Sequence, residues 1–377
     1  MYALVLAGGG AKGAYQVGVW KALRELNIEI GLVVGTSVGA LNGALLAQNS
    51  YDEATKLWLN LNMNSVLDAD QEFIDGINNI FSNGLFKSNL AMYKKIYSHI
   101  KENRGFNITP LRNRIEELLD EDIIRNSGID FGFVTFSINN LKPLKLFIND
   151  IPADEIKYYL LGSALVPGFA QDKNYPTKFI DGGIYDRFPI SMAIDKGYKK
   201  IIAVETKQKK LKKYKGVNIT FIQPSEDLGS FLYFNKDNSV RNLDMGYLDA
   251  LKIYGKIFGV DYFFESIPSE INIIKKLTKL SANQIKEISG DILSEGLYSL
   301  KHFFEKVIPK TLAKLKVAKS NTYQETLILL LEHLLKFNEI ERVKQYTVEE
   351  ALQLVDKEYS IHSVESSSLK ILKYILK

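Results

Sequence analysis

The sequence contains no cysteine. That removes disulfides, thiolate catalysis and cysteine-ligated zinc or iron–sulfur centres from consideration, and leaves the redox compartment open. Histidine is nearly as scarce, with four among 377 residues: His99, His302, His333 and His362. Acid–base chemistry carried by imidazole therefore has few places to sit. No stretch approaches the roughly 18 apolar residues of a spanning helix. The longest candidate, Leu327 to Phe337, is interrupted by Glu332 and His333. A strong charge bias is also missing: 48 Lys and Arg against 44 Asp and Glu leave +4, too little to imply a nucleic-acid partner. The N-terminus carries no basic segment ahead of its apolar residues and runs straight into AGGGAKG, so the expected location is cytoplasmic, with peripheral contact as the expected form of any membrane association.

What is present is an ordinary globular composition, 46% hydrophobic and 24% charged, in a chain long enough for two or three domains. YALVLAG reads as a buried strand, AYQVGVWKALRELN as a helix with Val17, Trp20, Leu23 and Leu26 at helical spacing, GLVVGTS as a second strand and VGALNGALLAQ as a second helix. This βαβα order predicts an α/β fold with a mainly parallel sheet covered by helices on its faces. Residues 51–126 read as mostly helical, ending in a helix over LRNRIEELLDEDII. Strands follow at FGFVTFSI and LKLFI, a helix at IKYYLLGSA, a strand end at KFIDGG, a helix at ISMAIDKG, and strands at IIAVET and VNITFIQP. The strand signals then stop. The expected division is a catalytic domain over 1–262 and an all-helical region over 263–377, with Thr347 and Glu350 spaced as a capping box.

GGGAKG, between the first strand and helix, satisfies the G-x-G-x-x-G spacing through Gly8, Gly10 and Gly13. A dinucleotide loop also needs an acidic residue at the end of the second strand, and that strand ends in Gly35, Thr36 and Ser37 instead; Glu29 precedes it. A phosphate-binding Walker loop fails because Lys12 precedes the last glycine and no Ser or Thr follows Gly13. What remains is either a tight strand-to-helix turn or a set of backbone N–H groups at a helix start, able to hold negative charge.

Gly35-Thr36-Ser37-Val38-Gly39 matches the G-x-S-x-G elbow, in which a serine on a sharp strand-to-helix turn needs small neighbours on both sides. A helix-capping serine has the same local preferences. If Ser37 is a nucleophile it needs a base, and no histidine lies at a strand end or in a glycine-rich turn. Asp181, in FIDGGIYDRFP, ends an apolar run and is followed by two glycines, so its carboxylate can stand at the mouth of the sheet. Asp-Gly-Gly is by itself also a turn signal. A carboxylate serves as base for a hydroxyl only in a shielded site that raises its pKa.

GGGAKG, GTSVG and DGG in this order, with GSALVPGF at 162–169 as a serine-to-proline stretch ahead of the aspartate, resemble the patatin-like phospholipases. The resemblance covers residues 2–225 and implies a patatin-like three-layer core and a lipid acyl hydrolase with a Ser–Asp dyad. It implies that Ser37 is the nucleophile and Asp181 the base, that the two meet, and that Gly8, Gly9, Gly10, Lys12 and Gly13 form the oxyanion loop, with Gly35 and Gly39 in the elbow. It implies a phospholipid or other lipid ester as substrate, cleaved in phospholipase A fashion, and no metal or organic cofactor. A general carboxylesterase or lysophospholipase, and a catalytically silent lipid-binding module, are the alternatives. Two features depart from the family pattern: Asp186-Arg187 after the DGG, and the whole of 263–377, whose role, including any response to a protein activator, the motifs leave unread.

Lys207, Lys209, Lys210, Lys212, Lys213 and Lys215 form a basic run followed by the aromatic SFLYF at 230–234. The run reads either as a solvated loop or as a contact to anionic lipid. DADQEF at 68–73 hints at a calcium loop, but Phe73 stands where the sharp turn needs glycine, so no metal site is expected.

Overall fold

A computed structural model describes residues 1–66, 107–165, 178–210, 212–290, 292, 298–316, 322–360 and 363–376. His99, His362, the acidic stretch 68–73 and residues 166–169 of the serine-to-proline stretch lie outside them. The chain divides into two compact units, Met1–Ala250 and Leu251–Lys377.

Among the described residues the first unit is built on seven strands: β1 (Tyr2–Leu6), β2 (Ile30–Thr36), β3 (Asp130–Ser137), β4 (Lys142–Phe147), β5 (Phe179–Asp181), β6 (Lys200–Val204) and β7 (Asn218–Ile222). Their order is β4-β3-β2-β1-β6-β7, with β5 joined to β3 off that path. β1, β2, β3, β6 and β7 are parallel, whereas β4 and β5 run antiparallel to β3. The central strands are apolar on both faces because both are covered. Ala3, Val5, Leu32, Val34, Ile201 and Ala203 pack with Ile190, Met192 and Ala193 of α7 (Ile190–Asp195). The opposite face, at Val33 and Phe131, meets α2 (Val38–Ala47), where a Cβ on Gly43 would stand 3.0 Å from Val33 and 3.1 Å from Phe131. The result is the three-layer α/β arrangement expected from the βαβα pattern.

The other helices of this unit among the described residues are α1 (Ala14–Glu25), α3 (Tyr51–Asn60), α4 (Thr109–Leu118), α5 (Glu121–Asn126), α6 (Ile156–Ser163) and most of α8 (Lys236–Ile253). One expectation is corrected: the helix over LRNRIEELLDEDII is two helices. Asp120 caps α5, its carboxylate accepting from Ile123 N–H at 3.1 Å. Gln48 fixes the break by donating to Leu118 O at 3.0 Å and accepting from Asp120 N–H at 2.8 Å. An aspartate that caps a new helix outcompetes continuation of the old one.

Two connections set the functional end of the sheet. The chain runs β1 to β2 to β3 in one direction and resumes at β6 and β7 on the other side of β1, so β1 and β6 border a topological switch point. The segments leaving β1, β2 and β6 at their carboxyl ends lie where open α/β sheets bind ligands. β5 then enters from the opposite direction. Since β4 occupies one edge of β3 along residues 132–137, the pairing of β5 with residues 135–137 takes up the other edge where β2 leaves it.

The second unit buries Leu327, Leu330, Leu331, Leu334 and Leu335 of a helix over Tyr323–Phe337 against Ile273, Ile285, Val355 and Leu372 from its other helices. Glu332 on that helix is buried and accepts the N–H groups of Val260, Asp261 and Tyr262 at 2.7, 3.0 and 3.0 Å, which ties the start of this unit into its core. Thr347 caps the helix Val348–Val355 by accepting from Glu350 N–H at 3.0 Å, while the Glu350 carboxylate pairs with Lys344 rather than closing a capping box. The expectation of helices alone is corrected by a short parallel pair, Phe263–Phe264 with Gln345–Tyr346. Two-residue strands are too short to leave an alternating signature. Among the described residues no helix is long and apolar enough to cross a membrane.

Candidate active site

β2 ends at Thr36 and α2 begins at Val38, so one residue makes the turn. Ser37 has φ 57° and ψ −128°, a conformation that costs a non-glycine residue about 1–3 kcal/mol. The residues two positions to either side are glycine for steric reasons: a Cβ on Gly35 would stand 2.2 Å from Gly39 O, and one on Gly39 would stand 2.4 Å from Leu6 O. The strained turn is held by hydrogen bonds. Ser37 N–H donates to Ser163 Oγ at 3.0 Å, Ser163 Oγ donates to Val134 O at 2.6 Å, and Thr36 Oγ1 donates to Asp186 O at 2.9 Å.

β5 carries Asp181 to this turn. Thr36 pairs with Val134 and Asp181 pairs with the next residue of β3, Thr135, so the two segments meet end to end on one edge. The Ser37 hydroxyl donates to Asp181 Oδ2 at 2.6 Å, and Gly183 N–H donates to Oδ1 at 2.6 Å. Gly182 is required here, since a Cβ would lie 2.2 Å from Val134 O. Asp181 is 8% exposed. Burial raises its pKa above the ordinary aspartate value, with the two hydrogen bonds pulling the other way.

The glycine loop follows β1 beside them. Gly8, Gly9 and Gly10 line the same cavity as Ser37 and Asp181; Lys12 and Gly13 stand outside it. Gly8 N–H donates to Arg187 O at 2.8 Å, so it is committed, whereas the N–H groups of Gly9 and Gly10 have no acceptor among the described residues. Gly10 has φ 55°, and a Cβ there would stand 2.1 Å from Phe231 O. The buried Lys12 reaches Asp227 at 3.5 Å, fastening the loop from behind.

Arg187 closes the grip on Gly8: its Nη1 donates to Gly8 O at 2.9 Å and to Thr206 Oγ1 at 3.2 Å, and its Nη2 to Glu205 Oε1 at 2.5 Å. Glu205 is fully buried, and its second oxygen pairs with Lys209. Burial works against its charge, but Lys209 and Arg187 hold the carboxyl below the usual glutamate range. The departure at Arg187 is thus a brace for the glycine loop. A further buried chain supports the loop from α2 and α3: Trp58 Nε1 donates to Asn42 Oδ1 at 3.0 Å, Asn42 Nδ2 to Gly13 O at 3.0 Å and Gln16 Oε1 at 2.9 Å, and Gln16 Nε2 to Ala7 O at 2.6 Å.

The cavity encloses about 370 Å³. Leu41, Leu45, Trp58, Leu61, Ile115 and Leu118 make it apolar on the α2–α4 side, and Arg114, Arg187 and Lys207 are its cationic lining residues. It lies within the size range of small-molecule sites. His302 and His333 both lie in the second unit, where His333 Nε2 is 3.1 Å from Glu365 Oε1. Chemically, a hydroxyl bonded to a buried carboxylate of raised basicity, with free N–H donors beside it, is equipped for acyl transfer.

Glu205 and the Gln16–Asn42–Trp58 chain belong to no motif quoted from the sequence, and the bracing roles of Ser163, inside GSALVPGF, and of Arg187, after the DGG, are visible only in the structure. Glu205 leaves one readable trace, a charged residue directly after the apolar run IIAV.

Comparison with known proteins shows the family to which the chain is similar. The family model described as "Patatin-like phospholipase" matches residues 4–194. "Lysophospholipase nte1" of Aspergillus terreus is 60% identical over 47 residues, 12% of this chain and 3% of that protein. "Patatin-like phospholipase domain-containing protein 7" of Rattus norvegicus is 39% identical over 93 residues, 24% of this chain and 7% of that protein. The matches thus span less than a tenth of these relatives' length. Among solved structures, VipD from Legionella pneumophila aligns over 100% of this chain and 91% of its own, at 14% identity and a TM-score of 0.36.

Proposed function

This chain belongs to the patatin-like phospholipase family of lipid acyl hydrolases, and from that premise we propose that it cleaves fatty-acyl esters of phospholipids in phospholipase A fashion through a Ser37–Asp181 dyad. The observation that carries the reading is the 2.6 Å hydrogen bond from Ser37 Oγ to Asp181 Oδ2 within the lining of an apolar cavity.

In this scheme Asp181 accepts the hydroxyl proton as Ser37 Oγ attacks the ester carbonyl. The oxyanion is held by Gly9 and Gly10 N–H, the two loop donors without another acceptor among the described residues. Collapse of the tetrahedral intermediate expels the alcohol, which takes the proton back from Asp181. Water then attacks the acyl-serine with Asp181 again as base, releasing fatty acid and restoring the hydroxyl. The acyl chain occupies the apolar side of the cavity, where its burial contributes about 0.8 kcal/mol per CH₂. Lysophospholipid hydrolysis is the second reading, favoured by the name of the Aspergillus relative; such a substrate presents one acyl ester to the same cavity.

Fatty-acid release from diacyl phospholipid vesicles and from lysophospholipid, with the whole chain and with Ser37→Ala, tests both. Release from diacyl lipid that disappears in the variant supports the phospholipase reading, and release from lysophospholipid alone selects the second. Release from neither rejects both.

A further inference from the structure

The rim of the cavity carries features that the chemistry inside it does not use. Ile184 and Phe231 line the cavity yet remain 55% and 42% exposed, and Tyr185, next to Ile184, is 57% exposed. Large apolar side chains scattered singly are ordinary on a surface, but Ile184 and Phe231 are at once exposed and part of the cavity lining, so they mark where it meets solvent. Lys207 lines the cavity as well and begins the segment 207–216, which holds six lysines and no acidic residue. The base of that segment is fixed at the rim: Lys209 pairs with one oxygen of the buried Glu205, whose other oxygen holds Arg187, itself a cavity residue. Beyond Lys209, the side chains of Lys210, Lys212, Lys213 and Lys215 are exposed and form no ion pair among the described residues.

We propose that this rim is a docking surface for an anionic lipid bilayer, with the lysines on its charged headgroups and Ile184, Tyr185 and Phe231 at the depth of the headgroup–acyl boundary. The proposal deepens the acyl-hydrolase reading and rests on it for the identity of the cavity. Charge complementarity favours this occupant: an unpaired run of lysines is attracted to anionic headgroups additively, one residue at a time. The apolar rim supplies what a purely electrostatic contact lacks, a set of side chains that gain by leaving water. Docked this way, the cavity opens onto the layer in which lipid esters lie, and an acyl chain reaches Ser37 without crossing water.

The test measures co-sedimentation of the full chain carrying Ser37→Ala, so that vesicles are not consumed. It compares phosphatidylcholine vesicles with and without phosphatidylserine. Binding should be markedly tighter with phosphatidylserine. Reversing Lys210, Lys212, Lys213 and Lys215 to glutamate should weaken it by about tenfold or more. Reversing Lys275, Lys276, Lys279 and Lys301, four exposed lysines of the second unit, should leave it intact. Tyr185→Ser should weaken binding to both vesicle types. With Ser37 restored, the first quadruple variant should still hydrolyse a soluble short-chain ester at the unsubstituted rate. Equal affinity for the two vesicle types, or unchanged binding in the first quadruple variant, overturns the proposal. Predicted binding by a chain that hydrolyses no ester leaves the docking surface standing and removes the acyl-hydrolase reading instead.

Discussion

Ser37 follows the residue that pairs with Val134, and Asp181 pairs with Thr135, so both hang from consecutive positions on one edge of β3. Residues 144 apart in sequence are thereby brought to a 2.6 Å hydrogen bond by backbone pairing rather than by loop placement. Side chains positioned from a sheet edge are held more precisely than side chains positioned from loops alone.

Asp181→Asn should lower turnover by about 10²–10⁴-fold, the usual contribution of a positioned base. The same substitution should leave the melting temperature at neutral pH unchanged or raised. Folding raises the Asp181 pKa, so its contribution to stability is present below the unfolded value and lost as pH rises through the folded one. At neutral pH the buried ionised carboxylate opposes folding, and an isosteric amide removes that cost. The amide still accepts from Gly183 N–H and can donate to Ser37. Thermal denaturation beside an activity assay checks both halves.

The pH profile of kcat/KM on a soluble ester should show an acidic limb set by Asp181. Activity requires the carboxylate ionised, so it falls as pH drops through a pKa raised above the ordinary aspartate value. An inflection instead near the imidazole range, about pH 6.5, that moves on substitution of a histidine would point to a different base.

Ser163→Ala leaves Ser37 N–H without its acceptor and Val134 O without its donor, both in a buried setting. Stability should fall by about 1–3 kcal/mol. Because the elbow turn loses its restraint, kcat should fall more than KM rises, measured by steady-state kinetics at a temperature where the variant is folded.

Glu205→Gln removes the charge that Arg187 and Lys209 share. Breaking a buried pair typically costs about 3–5 kcal/mol, and the partial exposure of both cations puts this one toward the lower end. The Glu205 pKa is lowered by folding, so its stabilisation is present above the unfolded value and lost as pH falls through the folded one. The stability gap between wild type and variant should therefore narrow as pH is lowered, with wild type beginning to unfold in acid at a pH no higher than the variant does. Equilibrium denaturation at several pH values reads this directly.

Ile115→Trp places a larger ring in the apolar wall of a cavity of about 370 Å³. Selectivity should shift toward short acyl chains, with kcat/KM for a long-chain ester falling by about tenfold or more relative to a short one. An unchanged ratio would place the acyl chain elsewhere.

The sequence signals were strongest where a single local rule dictates the residue. The buried parallel strands show as apolar runs, and the elbow glycines show because no Cβ fits at Gly35 or Gly39. Ser37 and Asp181 are legible as separate candidates, but their meeting depends on β5 entering antiparallel where β2 leaves β3, and no local pattern encodes that pairing. The role of Arg187 was hidden for the same reason, since it grips Gly8 across 179 residues, and the burial of Glu205 shows in the sequence only as its place directly after an apolar run. The split between α4 and α5 was hidden by periodicity, because the apolar spacing continues through Leu119 while the cap at Asp120 interrupts the backbone.

The measurement that bears most directly on the dyad is covalent trapping with a long-chain fluorophosphonate ester, read by peptide mass spectrometry. The prediction is a single phosphonyl adduct on the peptide bearing Ser37, formed about 10²-fold or more slowly with Asp181→Asn and blocked by excess lipid substrate. Hydrolytic activity that persists with Ser37 unlabelled, or an adduct at another serine that abolishes activity, would contradict it.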